Sequence, residues 1–380
     1  MALPRLSDDA RLLAELIAIP SVNPDGLPGT DRTGEKEIAT FLAKHLRKLG
    51  ADCELQPVQK DRPNLIAVFP LKRRPRARIL LAPHTDTVSV GGMTVPPFSP
   101  VVRQGKLYGR GATDTKGSIA AMLTAIAQVL KKAYRNGTVE ITFAGLMGEE
   151  ARNQGAVHYA RTCPKFNLAI IGEPTGLKLV HAHKGTAWFT VRAAGKSAHA
   201  SNPSHGRNAI RILSEFIQFG LPRIEAALAE FRHPSLGHAT ISPGLLRGGT
   251  KVNIVPASAE LDLDVRLVPA LSAHQATQLL RQVARSLSPH LTVTLTPGVP
   301  ALEADPDHPW IRRILPATRG LSSVPWCCDA TIFAQRGIPS VAFGPGSIAQ
   351  AHTVDEFLAL DDLAAGTAAY GRILTLLLAP

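Results

Sequence analysis

Apolar residues recur along the chain with two periods, and the two periods alternate. In the first 175 residues, short apolar runs at 65–69, 79–82, 138–145 and 168–172 are typical of buried strands, whereas 117–132 has the length and the Ala, Leu and Ile content of a helix. An amphipathic helix is predicted from Ser7 to the stop at Pro20. Strands that alternate with helices favour α/β architecture with a mostly parallel sheet flanked by helices.

The pattern changes near residue 180. Strands with alternating apolar and polar positions are predicted at 186–195, 238–246, 259–268 and 291–298, and amphipathic helices at 206–219 and 272–287. This block predicts a small α+β domain with an antiparallel sheet. The first pattern then returns, with a helix near 308–316, a strand at 340–344 and a helix at 361–378. We therefore expect an α/β domain formed by residues 1–178 and 297–380, with an inserted domain at 179–296.

Composition narrows the class of protein. A chain of 380 residues with 45% hydrophobic residues suits two or three folded domains and excludes a disordered chain. The net charge is +12, but Lys and Arg are spread out except at 71-LKRRPRAR-78, so we expect a solvated loop there and no nucleic-acid partner. The four Cys are too few and too scattered for a disulfide framework. No apolar run reaches the length of about 18 residues that spans a bilayer, so we expect a cytoplasmic protein without a membrane partner.

Polar side chains that can bind metal follow the predicted strands. They are His84 and Asp86 after 79–82, Asp114 in a Gly-flanked turn before the long helix, Glu149 and Glu150 after 138–145, Glu173 after 168–172, and His352 after 340–344. Ligands bind at the carboxyl edge of the strands in open α/β sheets, so these side chains could converge there. Each alone has a structural explanation, such as an N-cap for Asp114. Their co-occurrence, with imidazoles and carboxylates but no Cys, indicates Zn²⁺, Co²⁺ or Mn²⁺.

Five of these groups, two imidazoles and three carboxylates, could hold two divalent ions. The small positive charge that remains would favour a bridging hydroxide near neutral pH. One further carboxylate must stay available to move a proton from water to the leaving nitrogen. The adjacent Glu149 and Glu150 could divide these two tasks, and their spacing leaves open which is the ligand and which the base.

Seven motifs, taken as a set, resemble the co-catalytic zinc metallopeptidase family that includes acetylornithine deacetylase, succinyl-diaminopimelate desuccinylase, aminoacylases and glutamate carboxypeptidase. They are 84-HTD-86, 109-GRGATDTKG-117, 148-GEE-150, 172-GEPT-175, 195-GKSAHAS-201, 251-KVNIVP-256 and 344-GPGSIAQAH-352. The resemblance runs from about residue 10 to the C-terminus, and it implies a catalytic domain of the zinc-peptidase type.

The resemblance also implies a role for each metal-binding candidate. The two divalent ions are expected to be Zn, with Co or Mn as alternatives. One ion would be bound by His84 and Glu173, and the other by Glu150 and His352. Asp114 would bridge the two ions. Glu149 would then be the general base, and Asp86 would orient His84.

The inserted domain would be the family's lid and dimerisation domain, which implies a homodimer. His199 matches the residue that reaches the partner subunit's site and stabilises the oxyanion, although it could also be an ordinary loop His beside Ser197 and Ser201. The positions that match a site for the substrate carboxylate are Asn253, Arg266, Gly344 and Gly346. Arg266 suits that role because its planar fork pairs with two carboxylate oxygens, but it could instead pair with Asp264 or Asp262.

Some residues depart from the family pattern. Cys327 and Cys328 stand before Asp329 where many relatives carry small or hydroxyl residues; we interpret them as packing residues and Asp329 as structural. Arg152 and Asn153 replace shorter residues, which puts the substrate in doubt but not the reaction type. The pair in 181-HAHK-184 is interpreted as structural.

We therefore expect a metal-dependent amidohydrolase that cleaves the N-acyl bond of a small N-acyl amino acid, of the acetylornithine deacetylase or succinyl-diaminopimelate desuccinylase type. A dipeptidase or carboxypeptidase of the same family is the first alternative. A non-catalytic metal-dependent binding protein is the second, and the presence of every expected ligand and of the base argues against it.

Overall fold

The structure is a computed structural model that describes residues 6–130, 134 and 137–379. The chain forms two compact units. The first comprises residues up to 181 together with 304–322 and 328 onward, and the second comprises 182–303 and 323–327. The second unit thus extends past the boundary expected at residue 296, and it also takes in the short segment 323–327.

The strands of the described residues are short and are spread over both units. They are β1 (Asp52–Gln59), β2 (Arg62–Phe69), β3 (Ala77–Pro83), β4 (Val101–Arg103), β5 (Lys106–Tyr108), β6 (Val139–Gly145), β7 (Leu168–Gly172), β8 (Leu179–His183), β9 (Gly185–Ala194), β10 (Arg232–His233), β11 (Gly237–His238), β12 (Thr240–Gly248), β13 (Ser258–Leu267), β14 (Leu291–Pro297), β15 (Leu302–Glu303), β16 (Leu321–Val324), β17 (Ser340–Phe343) and β18 (Phe357–Ala359).

The α-helices connect these strands and cover the sheets. They are α1 (Asp8–Ala18), α2 (Lys36–Lys48), α3 (Lys116–Val129), α4 (Gln154–Thr162), α5 (Ala209–Glu215), α6 (Leu221–Ala229), α7 (Ala273–Leu287), α8 (Pro309–Ile314), α9 (Ala330–Ala334) and α10 (Leu360–Leu378). None of the helices in the described part of the chain combines the length and the apolar character needed to cross a bilayer.

The sheet of the first unit has the strand order β1-β2-β6-β3-β7-β17-β8. Its centre is parallel, because β3 runs parallel to both β6 and β7, and β17 runs parallel to β7. β1 and β2 add an antiparallel edge. The central strands are buried along nearly their whole length, which explains their continuous apolar runs. The expected α/β class with a mostly parallel sheet is confirmed.

The second unit is built on an antiparallel sheet with the order β12-β13-β9-β14. The alternating pattern of 259–268 becomes strict alternation of burial along β13, whose apolar side chains face a core with Phe189 and Phe216. The helix expected at 206–219 begins at Ala209, because the side chain of Asn208 accepts hydrogen bonds from the N–H groups of Ile210 and Arg211.

The end of that helix and the end of α3 differ from the expectation. Instead of stopping at 219, the chain continues through a π-helical turn at Phe216–Gly220 into α6. Pro222 lies in the first turn of α6, a position that proline tolerates. α3 ends at Val129 within the described chain, and residues 131 and 132 of the expected helix lie outside the described residues.

Candidate active site

Polar side chains of the first unit meet at the carboxyl edge of its parallel strands. His84 directly follows β3, Asp114 lies in the turn before α3, and Glu150 follows β6. One ligand atom from each of these three residues lies within 4.8 Å of the others, an arrangement that could hold a metal ion. The sequence therefore places side chains from distant segments at one point, because parallel strands end at the same edge.

Asp114 lies between two imidazoles and presents one oxygen to each. Its Oδ1 is 2.9 Å from Nε2 of His84, and its Oδ2 is 3.3 Å from Nε2 of His352. The same Nε2 of His352 is 3.2 Å from Oε2 of Glu150. One carboxylate thus connects two neighbouring groups of ligand atoms.

The charges of these groups are strongly coupled. Burial opposes a charge on His84, but its contacts with Asp114 and Asp86 outweigh burial and raise its pKa well above the ordinary value. Hydrogen bonds to Asp114 and Glu150 raise the pKa of His352 to about 10. Burial alone would raise the pKa of Asp114, yet the two imidazoles lower it. The surrounding carboxylates therefore favour a positive charge on each imidazole. The same excess of carboxylates favours the binding of cations at this site.

The three glutamates of the site are destabilised as carboxylates. Burial, with repulsion from neighbouring carboxylates, raises the pKa values of Glu149, Glu150 and Glu173. Oε1 of Glu150 and Oε1 of Glu173 are buried and accept no hydrogen bond from the residues that the structure describes. Buried, unpaired carboxylate oxygens beside imidazoles form the donor set that divalent cations bind, so the residues present fit such ions.

Asp86 connects His84 with the turn that carries the two glutamates. Its backbone oxygen lies 3.0 Å from Nδ1 of His84, and its carboxylate Oδ1 lies 3.5 Å from the same nitrogen. Its carboxylate also accepts hydrogen bonds of 3.0 Å from the backbone N–H groups of Glu149 and Glu150 and one of 2.8 Å from the Asn23 side chain. Asp86 therefore fixes two parts of the site at once.

Glu356 is a buried residue at the site that the sequence analysis missed. Its Oε1 accepts hydrogen bonds from the backbone N–H groups of Thr113 and Asp114 at 2.9 and 3.0 Å. Its Oε2 accepts from Gly111 N–H at 2.9 Å and from the Arg110 guanidinium at 2.8 Å. The sequence signal that was available is the Gly-rich turn itself. Its backbone N–H groups make no helix or strand hydrogen bonds, so they need an acceptor when the turn is buried.

Asn153 and Asp329 lie next to Glu149. The side-chain amide of Asn153 donates to Oε1 of Glu149 at 3.3 Å and to Oδ1 of Asp329 at 3.0 Å. Burial raises the pKa of Asp329 to about 6. Cys328, the residue before it, is fully buried, which agrees with a packing position.

Gly344 and Gly346 hold the segment that follows β7. The carbonyl oxygen of Gly344 accepts hydrogen bonds from the N–H groups of Thr175 and Leu177, and that of Gly346 accepts from Gly176 N–H at 2.8 Å. A Cβ at Gly344 would meet Ser118 Oγ and would lie 2.6 Å from the carbonyl oxygen of Glu173. Gly344 thus permits the close approach that places Glu173.

The other sequence-predicted site residues belong to the second unit. His199 is exposed, and its Nδ1 accepts a hydrogen bond from the N–H of Ser201 at 3.2 Å. Asn253 is exposed on the loop before β13. Arg266 forms an ion pair of 2.9 Å with Asp264, one of the two structural partners considered for it. Asp262, the other, pairs with Arg247 at 2.9 Å.

The chain is similar to known proteins over most of its length. The model of "Peptidase family M20/M25/M40" matches residues 80–376. Acetylornithine deacetylase from Photorhabdus laumondii is 32% identical over 365 residues, which cover 91% of both chains. Acetylornithine deacetylase from Klebsiella pneumoniae is 33% identical over 356 residues, covering 90% of this chain and 91% of that protein.

Solved structures share the fold. An M20 family metallo-carboxypeptidase from Sulfolobus solfataricus superposes with a TM-score of 0.79 at 19% identity, covering 98% of this chain and 99% of the other. A tripeptidase from Staphylococcus aureus superposes with a TM-score of 0.76 at 21% identity, covering 96% of both chains. The chain belongs to peptidase family M20/M25/M40. It is a metal-dependent hydrolase that acts on amide bonds.

Proposed function

We propose that this protein hydrolyses the N-acyl amide bond of an N-acyl amino acid, with acetylornithine deacetylase activity as the specific form. The names of relatives at 31–33% identity support the deacylase type. The observation that carries the proposal is Asp114, whose two oxygens face two different imidazoles. A carboxylate in that position can serve two metal ions.

The chain's own residues would hold two divalent ions, with Zn²⁺ expected and Co²⁺ or Mn²⁺ as alternatives. The proposed ligands are His84 and Glu173 for one ion, Glu150 and His352 for the other, and Asp114 for both. Ions bound there would polarise the scissile carbonyl and lower the pKa of a bound water. The Oε1 atoms of Glu150 and Glu173 support this division, because each is buried and has no hydrogen-bond partner in the described part of the chain.

Glu149 would act as the general base. Its side chain is partly exposed, so substrate and water can reach it. A carboxylate oxygen of Glu149 would take a proton from the attacking water and deliver it to the leaving nitrogen. Burial and the neighbouring carboxylates raise the pKa of Glu149, which suits a group that must hold a proton during turnover. Asp86 would keep this side chain in place through the N–H of Glu149.

His199 would donate a hydrogen bond to the developing oxyanion in the partner subunit. Nδ1 of His199 is in contact with the N–H and the hydroxyl group of Ser201, so Nε2 is the ring nitrogen that would face the oxyanion. Nε2–H is then the donor that the oxyanion needs. The substrate carboxylate would be bound by Arg266 and Asn253 together with the loop of Gly344 and Gly346.

We also propose that the second unit mediates a homodimer. β12 is an edge strand of its sheet, and Leu245 and Leu246 on it are 56% and 64% exposed. An edge strand with exposed apolar side chains is a template for pairing with a second copy. Sedimentation should give a dimer for the native chain and a monomer for L245K/L246K. A native monomer with full activity would contradict both the dimer and the oxyanion role of His199.

The experiment that tests the function is a substrate panel with the Zn²⁺-loaded protein. N-acetyl, N-succinyl and N-formyl amino acids, including N-acetylornithine, would be compared with dipeptides by release of free amine, with Glu149→Gln as the control. We expect release from N-acetylornithine that requires metal and is lost in the variant. Release from dipeptides alone would favour a peptidase instead. Binding of metal without turnover of any compound would favour a binding protein.

The cytoplasmic location stays a prediction.

A further inference from the structure

Asn153 forms the middle of a chain of three polar side chains. Its amide nitrogen is 3.3 Å from Oε1 of Glu149 and 3.0 Å from Oδ1 of Asp329. Asn153 is 7% exposed and Asp329 is 1% exposed, so water does not replace these contacts. The two N–H bonds of one amide group therefore serve two carboxylates.

The backbone around Asn153 explains why this residue type stands there. Asn153 has φ 54° and ψ 35°, a left-handed conformation that Asn tolerates better than most residues with a Cβ. It occupies the N-cap position of α4, where an Asn side chain usually accepts a hydrogen bond from the helix. Here the side chain makes no capping hydrogen bond. Its amide is directed to the two carboxylates instead.

Asp329 has few other polar contacts. Among residues 6–130, 134 and 137–379, its buried Oδ2 has no hydrogen-bond partner, and its side chain does not cap α9, which begins at the next residue. The contact with the amide of Asn153 is therefore the hydrogen bond that fixes the Asp329 carboxylate. In turn, Asp329 fixes which way the amide group of Asn153 faces.

We propose that Asn153 is a positioning residue for Glu149, and that Asp329 acts on Glu149 through Asn153. This inference rests on the proposed role of Glu149 as general base. A neutral amide can orient a carboxylate without placing a positive charge beside it, which a Lys or Arg at the same point would do. The carboxylate is held toward the reacting water while it keeps its ability to accept a proton.

The first test replaces Asn153 by Gly, which accepts the left-handed backbone and removes only the amide. We expect kcat to fall about ten- to a hundredfold while KM and the metal content stay within about twofold, because orientation of the base matters only in the chemical step. Asn153→Asp keeps the shape but replaces the donor with a carboxylate that repels Glu149 and Asp329, so kcat should fall at least as far as in N153G. Gln104→Gly is the matched control, since Gln104 is exposed, left-handed at φ 48° and in the turn between β4 and β5. It should leave kcat unchanged.

The second test is a double-mutant cycle with Asp329→Ala. If Asp329 acts through Asn153, the double variant N153G/D329A will have the kcat of N153G alone. Losses that multiply in the double variant would overturn the relay, and an N153G variant with unchanged kcat would overturn the positioning role. Glu149→Gln in the same assay separates the general-base role of Glu149 from the positioning role of Asn153. If E149Q keeps native activity, the general-base role fails; if E149Q is inactive while N153G and N153D are native-like, only the inference about Asn153 fails.

Discussion

The backbone N–H of Asp114 donates a hydrogen bond of 3.0 Å to the buried carboxylate of Glu356. Three further donors from residues 110–113 bind the same carboxylate. The turn that carries Asp114 contains Gly109 and Gly111, and it is buried, so its backbone N–H groups need acceptors within the protein. Glu356 thus supplies the rigidity that keeps the two oxygens of Asp114 directed at His84 and His352.

Glu356→Gln should damage both folding and metal binding. Whichever way the amide is oriented, one acceptor oxygen becomes a donor that faces N–H groups, and Arg110 loses its buried counter-charge. We expect the free energy of unfolding to fall by about 3 kcal/mol and the metal affinity to fall about tenfold or more. Urea unfolding and metal titration measure the two effects.

Asp61→Asn is the control for that substitution. Asp61 forms an exposed ion pair of 2.6 Å with Lys36, so the same change from carboxylate to amide should have no measurable effect there. If the two variants behave alike, Glu356 does not hold the turn of Asp114.

The two proposed metal positions should lose their ions at different rates. The side chain of His84 is 1% exposed, whereas that of His352 is 53% exposed. A chelator should therefore remove the ion at Glu150 and His352 first, giving two phases when metal content is followed over time. His352→Ala should abolish the fast phase and leave about one ion per chain. A single phase in the native protein, with both ions lost together, would contradict this order.

Gly344→Ala should disturb Glu173. The added methyl group would meet Ser118 Oγ and the carbonyl oxygen of Glu173, so the loop must move away from β7. We expect a loss of about 2 kcal/mol in the free energy of unfolding and weaker metal binding. Gly371→Ala is the control, because a Cβ at that position in α10 meets no atom within 4 Å. Removing a Gly from a helix should stabilise the protein by about 0.5–1 kcal/mol. Equal destabilisation by both variants would be inconsistent with the crowding at Gly344.

His183 should make the stability depend on pH. Burial lowers the pKa of His183 from 6.5 to about 4, and its Nδ1 hydrogen bonds to the carbonyl oxygen of Lys184 at 2.8 Å. Above pH 6.5 the ring is neutral in both states, so it contributes no dependence. Between pH 6.5 and 4 the unfolded chain takes up a proton that the folded chain does not, so the free energy of unfolding falls as pH falls.

His183→Asn tests this dependence, because Asn keeps a donor near the position of Nδ1 and does not titrate. Denaturant unfolding of the metal-free proteins at pH 7.5 and 5 should give a smaller loss of stability for the variant than for the native chain. The variant is also expected to be less stable at pH 7.5 because it leaves a cavity. An equal loss in both proteins would show that His183 takes up its proton in the folded state.

The period of the apolar residues was sufficient to predict the parallel sheet, its central helix α3 and the antiparallel second unit. The candidate site residues at the strand ends could also be predicted, because parallel strands bring their carboxyl ends to one edge of the sheet. α2 has a regular helical period and was overlooked. The continuation of the chain into α6 was not predicted, because Gly220 and Pro222 resemble a helix stop signal. In the structure Gly220 ends the π-helical turn and Pro222 lies in the first turn of α6.

The contacts that hold the site could not be predicted from local patterns. Glu356 binds N–H groups more than 240 residues away along the chain, and Asn153 meets Asp329 across 176 residues. Such contacts join a side chain to a backbone or to an amide, and no spacing or charge pattern in the sequence indicates them. The candidate metal ligands themselves were visible because His84, Glu150, Glu173 and His352 come after strands of the sheet, while Asp114 lies in the Gly-flanked turn before α3.

Anomalous X-ray diffraction from crystals grown with Zn²⁺ tests the central claim, that Asp114 serves two metal ions, most directly. Two peaks are predicted, each bound to a different oxygen of Asp114, with His84 and Glu173 at one peak and Glu150 and His352 at the other. Crystals of Asp114→Asn should lose at least one peak. A single ion, or two ions without Asp114 as a shared ligand, would contradict the proposed two-metal site.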